Sequence, residues 1–254
     1  NSLHTSQVTS IITNTIARGD ALYVPDMVAY SATLNDTIVQ ATSRDTSYAA
    51  TYWPWVKMLD PGTGKMVWLP ASTVIPGVYA YNDKVAAPWF APAGINRGGL
   101  NTVQYAKFKL TQANKDDLYE ANVNPLATLS GEGVVVFGQK TLQKEASALD
   151  RVNVRRLLIE LKNYIGQLAD QIVFEQNTAT TRIGFLARVT PYLETIQQKQ
   201  GLYAFKVVMD ESNNSPAVID RNQLVGQIYI QPTRTAEFIS LDFILMPTGA
   251  EFPS

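Results

Sequence analysis

Six apolar residues of this 254-residue chain, Val154, Leu158, Leu161, Ile165, Leu168 and Ile172, recur at spacings that alternate between four and three. At 3.6 residues per turn they share one stripe, so the segment after Asp150, which is placed as a cap, must be a helix laid against a core. A second helix is predicted over 178–200, with Gly201 as its stop and Pro191 kinking or splitting it. Alternation at period two then predicts three strands. Their faces are Tyr203, Phe205, Val207 and Met209; Leu224, Ile228 and Ile230; and Ile239, Leu241, Phe243 and Leu245. The last strand, from Glu237 to Met246, follows a Pro-containing linker, an arrangement suited to adding to a neighbour's sheet edge.

The first half reads differently. Val8, Ile11, Ile12 and Ile16 are spaced as a helix that Gly19 ends, and Ala21 to Val24, stopped by Pro25, reads as a strand entering a covered sheet. Residues 48–55 and 65–69 are aromatic and β-branched, and the turn formers Asp60-Pro61-Gly62-Thr63-Gly64 join them, which predicts a hairpin or a long loop. Gly133 to Gly138 brackets Val134, Val135, Val136 and Phe137, the length of a central strand. The pattern implies an α/β (α+β) chain of two domains, residues 1–110 with a mixed sheet and residues 111–254 with two long helices and a small antiparallel sheet.

Composition narrows the chemistry. Lys plus Arg number 21 against 22 Asp plus Glu, without a basic stripe, so the electrostatic footprint of a nucleic-acid binder is missing. Cysteine is absent, which excludes disulfides, thiol catalysis and Cys-ligated zinc. No run of about eighteen apolar residues points to a membrane partner. The one histidine, His4, lies near a terminus, a poor base for a Ser-His-Asp triad, and the expectation is that no catalytic residue exists. Gly62-Thr63-Gly64-Lys65 lacks the residues a phosphate loop needs at Leu59 and Met66, and Gly131-Glu132-Gly133 precedes a strand rather than a helix, so neither cradles a cofactor. Asp116, Asp117 and Glu120 read as a solvated helix start, not as a metal site. Trp53 and Trp55 fit either core packing or a platform for sugars. Arg151, Arg155 and Arg156 open the long helix, where positive charge opposes the dipole; either a partner justifies them or they pair with Asp150 or Glu160 on a solvated face.

Several stretches taken in order resemble the contractile tail sheath family of myovirus-type phages. They are Tyr52-Trp53-Pro54-Trp55-Val56-Lys57, Val74-Ile75-Pro76-Gly77-Val78-Tyr79-Ala80, Trp89-Phe90-Ala91-Pro92-Ala93-Gly94, Gly133 to Leu142, Val152 to Leu157 and Ala236-Glu237-Phe238-Ile239. The resemblance implies a core that is subtilisin-like in topology but not catalytic, without a cofactor. It implies a structural subunit that polymerises helically around a tail tube and contracts to drive the tube through the host envelope for genome delivery. The implied partners are further copies of the chain, the tube protein, and baseplate and terminator proteins, in a virion tail assembled in the host cytoplasm. The family's N-terminal arm and outer domains are expected to be missing, which leaves this chain alone monomeric. Phe238, Ile239, Leu241, Phe243 and Leu245 are then the inter-subunit strand, and Arg151, Arg155 and Arg156 are expected near the tube. A phage-like bacteriocin or related injection device fits equally; a carbohydrate-binding module is the reading from another class.

Overall fold

The computed structural model describes residues 2–237. Helix α1, Ser2–Arg18, buries Val8 and Ile12 and ends at Gly19, whose φ of +71° is the left-handed stop that glycine adopts without a Cβ penalty. The expected strand at 21–24 shrinks to a single parallel bridge between Tyr23 and Ala49. Pro25, which has no N–H to donate, stops the pairing at once. Helix α2, Leu34–Thr42, begins in a capping box made by Thr33 and Asp36.

Of the aromatic stretch 48–55 only β1, Thr51–Trp53, is a strand, and β2, Val56–Leu59, begins beyond its end, after Pro54. The hairpin expected between 48–55 and 65–69 forms instead between β2 and β3, Met66–Leu69, since β1 pairs elsewhere, and the Asp60 carboxylate accepts from the Gly62 amide and the Thr63 hydroxyl to shape its turn. Helix α3, Ile75–Val85, leads through a loop to β4, Val103–Ala106, which pairs antiparallel with β2. Helix α4, Gln112–Glu120, starts in a second capping box, Thr111 with Asn114. Strand β5, Val123–Leu129, runs parallel to β1 and antiparallel to β6, Gly133–Val136. Residues 98–100 bond to the far side of β6 through the Leu100 and Val136 amides, so this strand is interior as its sequence predicts.

Helix α5, Val152–Asp170, carries the six-residue stripe. The residue at its cap position is Arg151, without a side-chain cap, because Asp150 closes the short 3-10 turn before it. Leu157, 1% exposed, lies deeper than Leu158, since α5 touches neighbours on two sides. Helix α6, Ala179–Gln198, passes unbroken through Pro191. Val189, Leu193 and Ile196 on either side are fully buried, and that packing holds the helix across the missing amide. Strands β7, Leu202–Val208, and β8, Gln227–Pro232, pair antiparallel, with the short helix α7, Pro216–Ile219, between them. Phe205, Val207 and Met209 keep the expected face of β7, but a register shift between Leu202 and Ala204 takes Tyr203 out of it: Leu202 is buried, and Tyr203 stands 66% exposed.

Two apolar clusters, drawn from residues 8–152, form around β1, β5 and β6, and a third, drawn from residues 157–230 with Trp89 packed against it, joins α5 and α6 to β7 and β8. Residues 112–136, expected in the second domain, therefore complete the sheet of the first. Parallel pairing of β5 with β1 moves the change of core to near Val152, some forty residues beyond the expected boundary at 110.

Candidate functional site

Residues 139–141 run antiparallel to residues 150–152, with Thr141 N–H donating to Asp150 O at 2.9 Å and Val152 N–H to Gln139 O at 2.8 Å. This pairing fixes the first turn of α5 between the two cores. Three arginines emerge there, and each reaches a different element.

Arg151 Nε donates to Glu237 Oε1 at 2.7 Å, its Nη2 to the Tyr119 hydroxyl at 3.0 Å, and its Nη1 lies 3.1 Å from Asp150. Tyr119 in turn donates to Glu237 Oε2 at 2.7 Å, and Gln139 Nε2 reaches Glu237 Oε1 at 3.2 Å. Burial pushes the Glu237 carboxyl up, but the bonds from Tyr119 and Arg151 outweigh it and hold the group below its ordinary 4.5. Burial and the Glu237 carboxylate together push the Tyr119 phenol to about 12. Lys140 caps the cluster, with Nζ 3.7 Å from the Tyr119 ring and donating to Tyr119 O; burial, then Arg151, lowers its pKa.

Arg155 is 5% exposed, lies 4.0 Å over the Tyr48 ring and donates to the Ser47 hydroxyl. Arg156 pairs with Asp83 of α3 at 2.5 Å and lies 4.6 Å over Tyr79, whose hydroxyl meets that of Tyr52 at 2.7 Å. One turn of helix thus ties α4, the segment before β1, α3 and the chain beyond β8 to one another. Thr233 bonds to Gly201 O, and Thr235 and Glu237 bond to Gln139, so residues 233–237 form a strap from the second core back to the first. Arg151 and Arg156 meet carboxylates within the chain, whereas Arg155 has only the Tyr48 ring and Ser47, and its buried Nε has no hydrogen-bond partner among the described residues. Of the two expected acids, Asp150 takes part and Glu160 does not form a recorded pair among the described residues. Asp83, Glu237, Tyr48 and Tyr119 carried no spacing signal that marked them as partners.

The residues 238–245 named for the inter-subunit strand lie outside the described residues. Trp53 is 4% exposed and stacked on Phe108 at 5.0 Å, and the Trp55 and Trp89 indoles donate to the backbone carbonyls of Val28 and Lys199. A sugar platform would need Trp53 exposed beside Trp55. Among the described residues no three His, Asp or Glu side chains are placed to hold a metal ion, and no helix is long and apolar enough to cross a membrane.

Residues 144–245 match the family model of the phage tail sheath C-terminal domain. Tail sheath protein of Vibrio phage KVP40 is 39% identical over 87% of this chain and 33% of its own length, and that of Enterobacteria phage T4 is 40% identical over 73% and 28%. The chain belongs to the tail sheath protein family. The relatives it matches are structural tail sheath proteins and not enzymes. This sheath chain spans about a third of the length of the curated relatives it matches. A solved extracellular contractile injection system, the PVC sheath complex in its contracted state, is 26% identical and superposes with a TM-score of 0.76 over 89% of the sheath chain and 63% of its own. The mixed α/β fold is thus that of contractile sheaths. The family match at 144–245 takes in the arginines, α6, both strands of the last sheet and Glu237.

Proposed function

We propose that the chain is the polymer-forming part of a contractile tail sheath, in which copies assemble helically around a tail tube and contract to drive it through a cell envelope for genome delivery. The observation that carries this reading is the likeness of nearly the whole chain to a contracted sheath complex at 26% identity, together with the identity to phage tail sheath proteins. The sheath of a phage-like injection device is supported by the same likeness. On this reading the protein resides in the virion tail after assembly in the host cytoplasm, and it meets the tube, the baseplate and the terminator.

The two-core division fits a subtilisin-like, non-catalytic first unit ending near residue 150 and a C-terminal unit after it; the parallel β1/β5 pair with α3 in the connection is the support. Phe238, Ile239, Leu241, Phe243 and Leu245 form the strand that joins subunits, a reading supported by the alternation of the last four behind a prolyl linker. Of the arginines, Arg151 and Arg156 keep some exposure and Arg155 hardly any, so a tube-facing role rests on the first two.

The test is electron microscopy of the full-length protein that contains this chain, purified and concentrated. Hollow helical tubes are the expected result. Globular particles alone, at every concentration and salt, would overturn the reading. The chain by itself is expected to run as a monomer in light scattering.

A further inference from the structure

Strands β2, β3 and β4 make a three-stranded sheet with one face closed: Val56 and Val103 sit in the first core. Residues directly opposite in an antiparallel pair share a face. The register therefore places Trp68, Lys57 and Tyr105 in one row on the outer face, with Leu59 and Met66 opposite each other in the next. Tyr105 is 62% exposed and Leu59 47%, and Lys57 Nζ lies 5.5 Å from the centre of the Trp68 ring. A half-covered antiparallel sheet ordinarily turns polar residues to water. Aromatic and aliphatic side chains with a cation among them are what protein interfaces use. Lys65 and Lys109 stand exposed at the sheet's margins, and no recorded ion pair among the described residues engages Lys57, Lys65 or Lys109. The carboxylate at hand, Asp60, is occupied by its own turn.

Elsewhere the chain carries the opposite patch. Leu118 anchors α4 at 0% exposure, and this turns Asp116, Asp117 and Glu120 outward, all three exposed and outside the recorded ion pairs. Asp116 accepts from Gln112 at 2.8 Å, which leaves its charge in place.

We propose that these two patches are the halves of one head-to-tail contact between copies: the outer face of β2, β3 and β4 on one copy receives the acidic face of α4 on the next. A polymer that grows as an open helix needs two different, mutually complementary surfaces on every subunit, because a self-complementary patch closes into a dimer. The chain supplies such a pair, lysines amid aromatics against three carboxylates; neither set forms an ion pair among the described residues, and the nearby Lys140 acts on Glu120 without pairing with it. The contact deepens the sheath reading and rests on it. Opposite charge sets register between neighbours, while the rings supply the apolar area beneath.

The full-length sheath protein tests this by sedimentation across a concentration series, with circular dichroism melting to certify that each variant folds. Lys57→Glu with Lys65→Glu, and separately Asp116→Lys with Asp117→Lys, each raise the critical concentration for polymerisation by about tenfold at low salt. The four substitutions combined exchange the two signs and restore assembly to within about twofold of the parent. A folded quadruple variant as defective as either pair overturns the proposal, and so do paired variants that polymerise like the parent. If the lysine reversals act and the α4 reversals do not, the sheet face belongs to another partner and this contact is wrong. A parent that forms no polymer at all overturns the sheath reading and the contact with it; failure of the reversals alone removes only the contact.

Discussion

Replacing Glu237 by Gln removes one negative charge from beneath Arg151 while keeping the side chain's shape. The carboxylate receives Arg151 and Tyr119 at 2.7 Å each and Gln139 at 3.2 Å, with a side chain 19% exposed. Hydrogen bonds to charged groups contribute about 1.5 to 3 kcal/mol. An amide keeps one acceptor, and Arg151 keeps Asp150 at 3.1 Å, so the expected loss is about 2 kcal/mol, below the range for breaking a fully buried pair. For a chain of this size that lowers Tm by about 4 to 8 °C. Urea unfolding followed by tryptophan fluorescence reads it directly, because Trp89 donates to Lys199 across the two cores. The pH dependence supplies a second readout. The Glu237 carboxyl is held below its ordinary 4.5 in the folded chain, so its contribution is complete above that value and disappears as pH falls through the folded one. The gap between parent and E237Q is therefore flat from about pH 7 to about pH 5 and closes below about pH 4. A variant as stable as the parent at neutral pH, or a gap that persists undiminished to pH 3, would refute the account of the cluster.

Gly201→Ala places a Cβ 2.5 Å from Ile196 Cγ2 and 3.1 Å from the Trp89 ring, and is expected to cost about 1 to 3 kcal/mol, measured by chemical denaturation. Leu157→Ala should cost about 2 to 5 kcal/mol and Leu158→Ala clearly less, reversing the order that the stripe alone implies; the same denaturation series decides it. Arg156→Gln leaves Asp83 without its cation and should cost about 1 kcal/mol, since Asp83 is 37% exposed; a double-mutant cycle with Asp83→Asn should return a coupling of similar size.

What could be read from the sequence was whatever is written in local spacing. The stripe of α5, the stop at Gly19 and the turn at Asp60 depend on neighbours within a few residues, and all three stand in the structure. The face of β7 held at Phe205, Val207 and Met209 but lost Tyr203, because the shift at Leu202 depends on pairing with β8, not on β7 itself. The expected boundary at 110 fell in a polar stretch, yet β5 completes a sheet begun seventy residues earlier, a contact no local pattern announces. The arginines show the same limit more sharply. Their charge and position were visible, but Asp83, Glu237 and Ser47 lie 73, 86 and 108 residues away along the chain. Without those partners an outward-facing cluster and an interior clamp have one sequence. Only the two acids within reach, Asp150 and Glu160, could be named, and one of them takes part.

The strap at residues 233–237 has a mechanical consequence. A pull arriving from beyond residue 237 is taken first by Glu237, whose carboxylate transfers it to Arg151 at the root of α5 and to Tyr119 on α4. The β7/β8 ladder lies behind this anchor and is spared from being peeled one bond at a time. Load is shared between both cores at once, so a tug on the end of the chain displaces the body of the subunit before it unravels its last sheet.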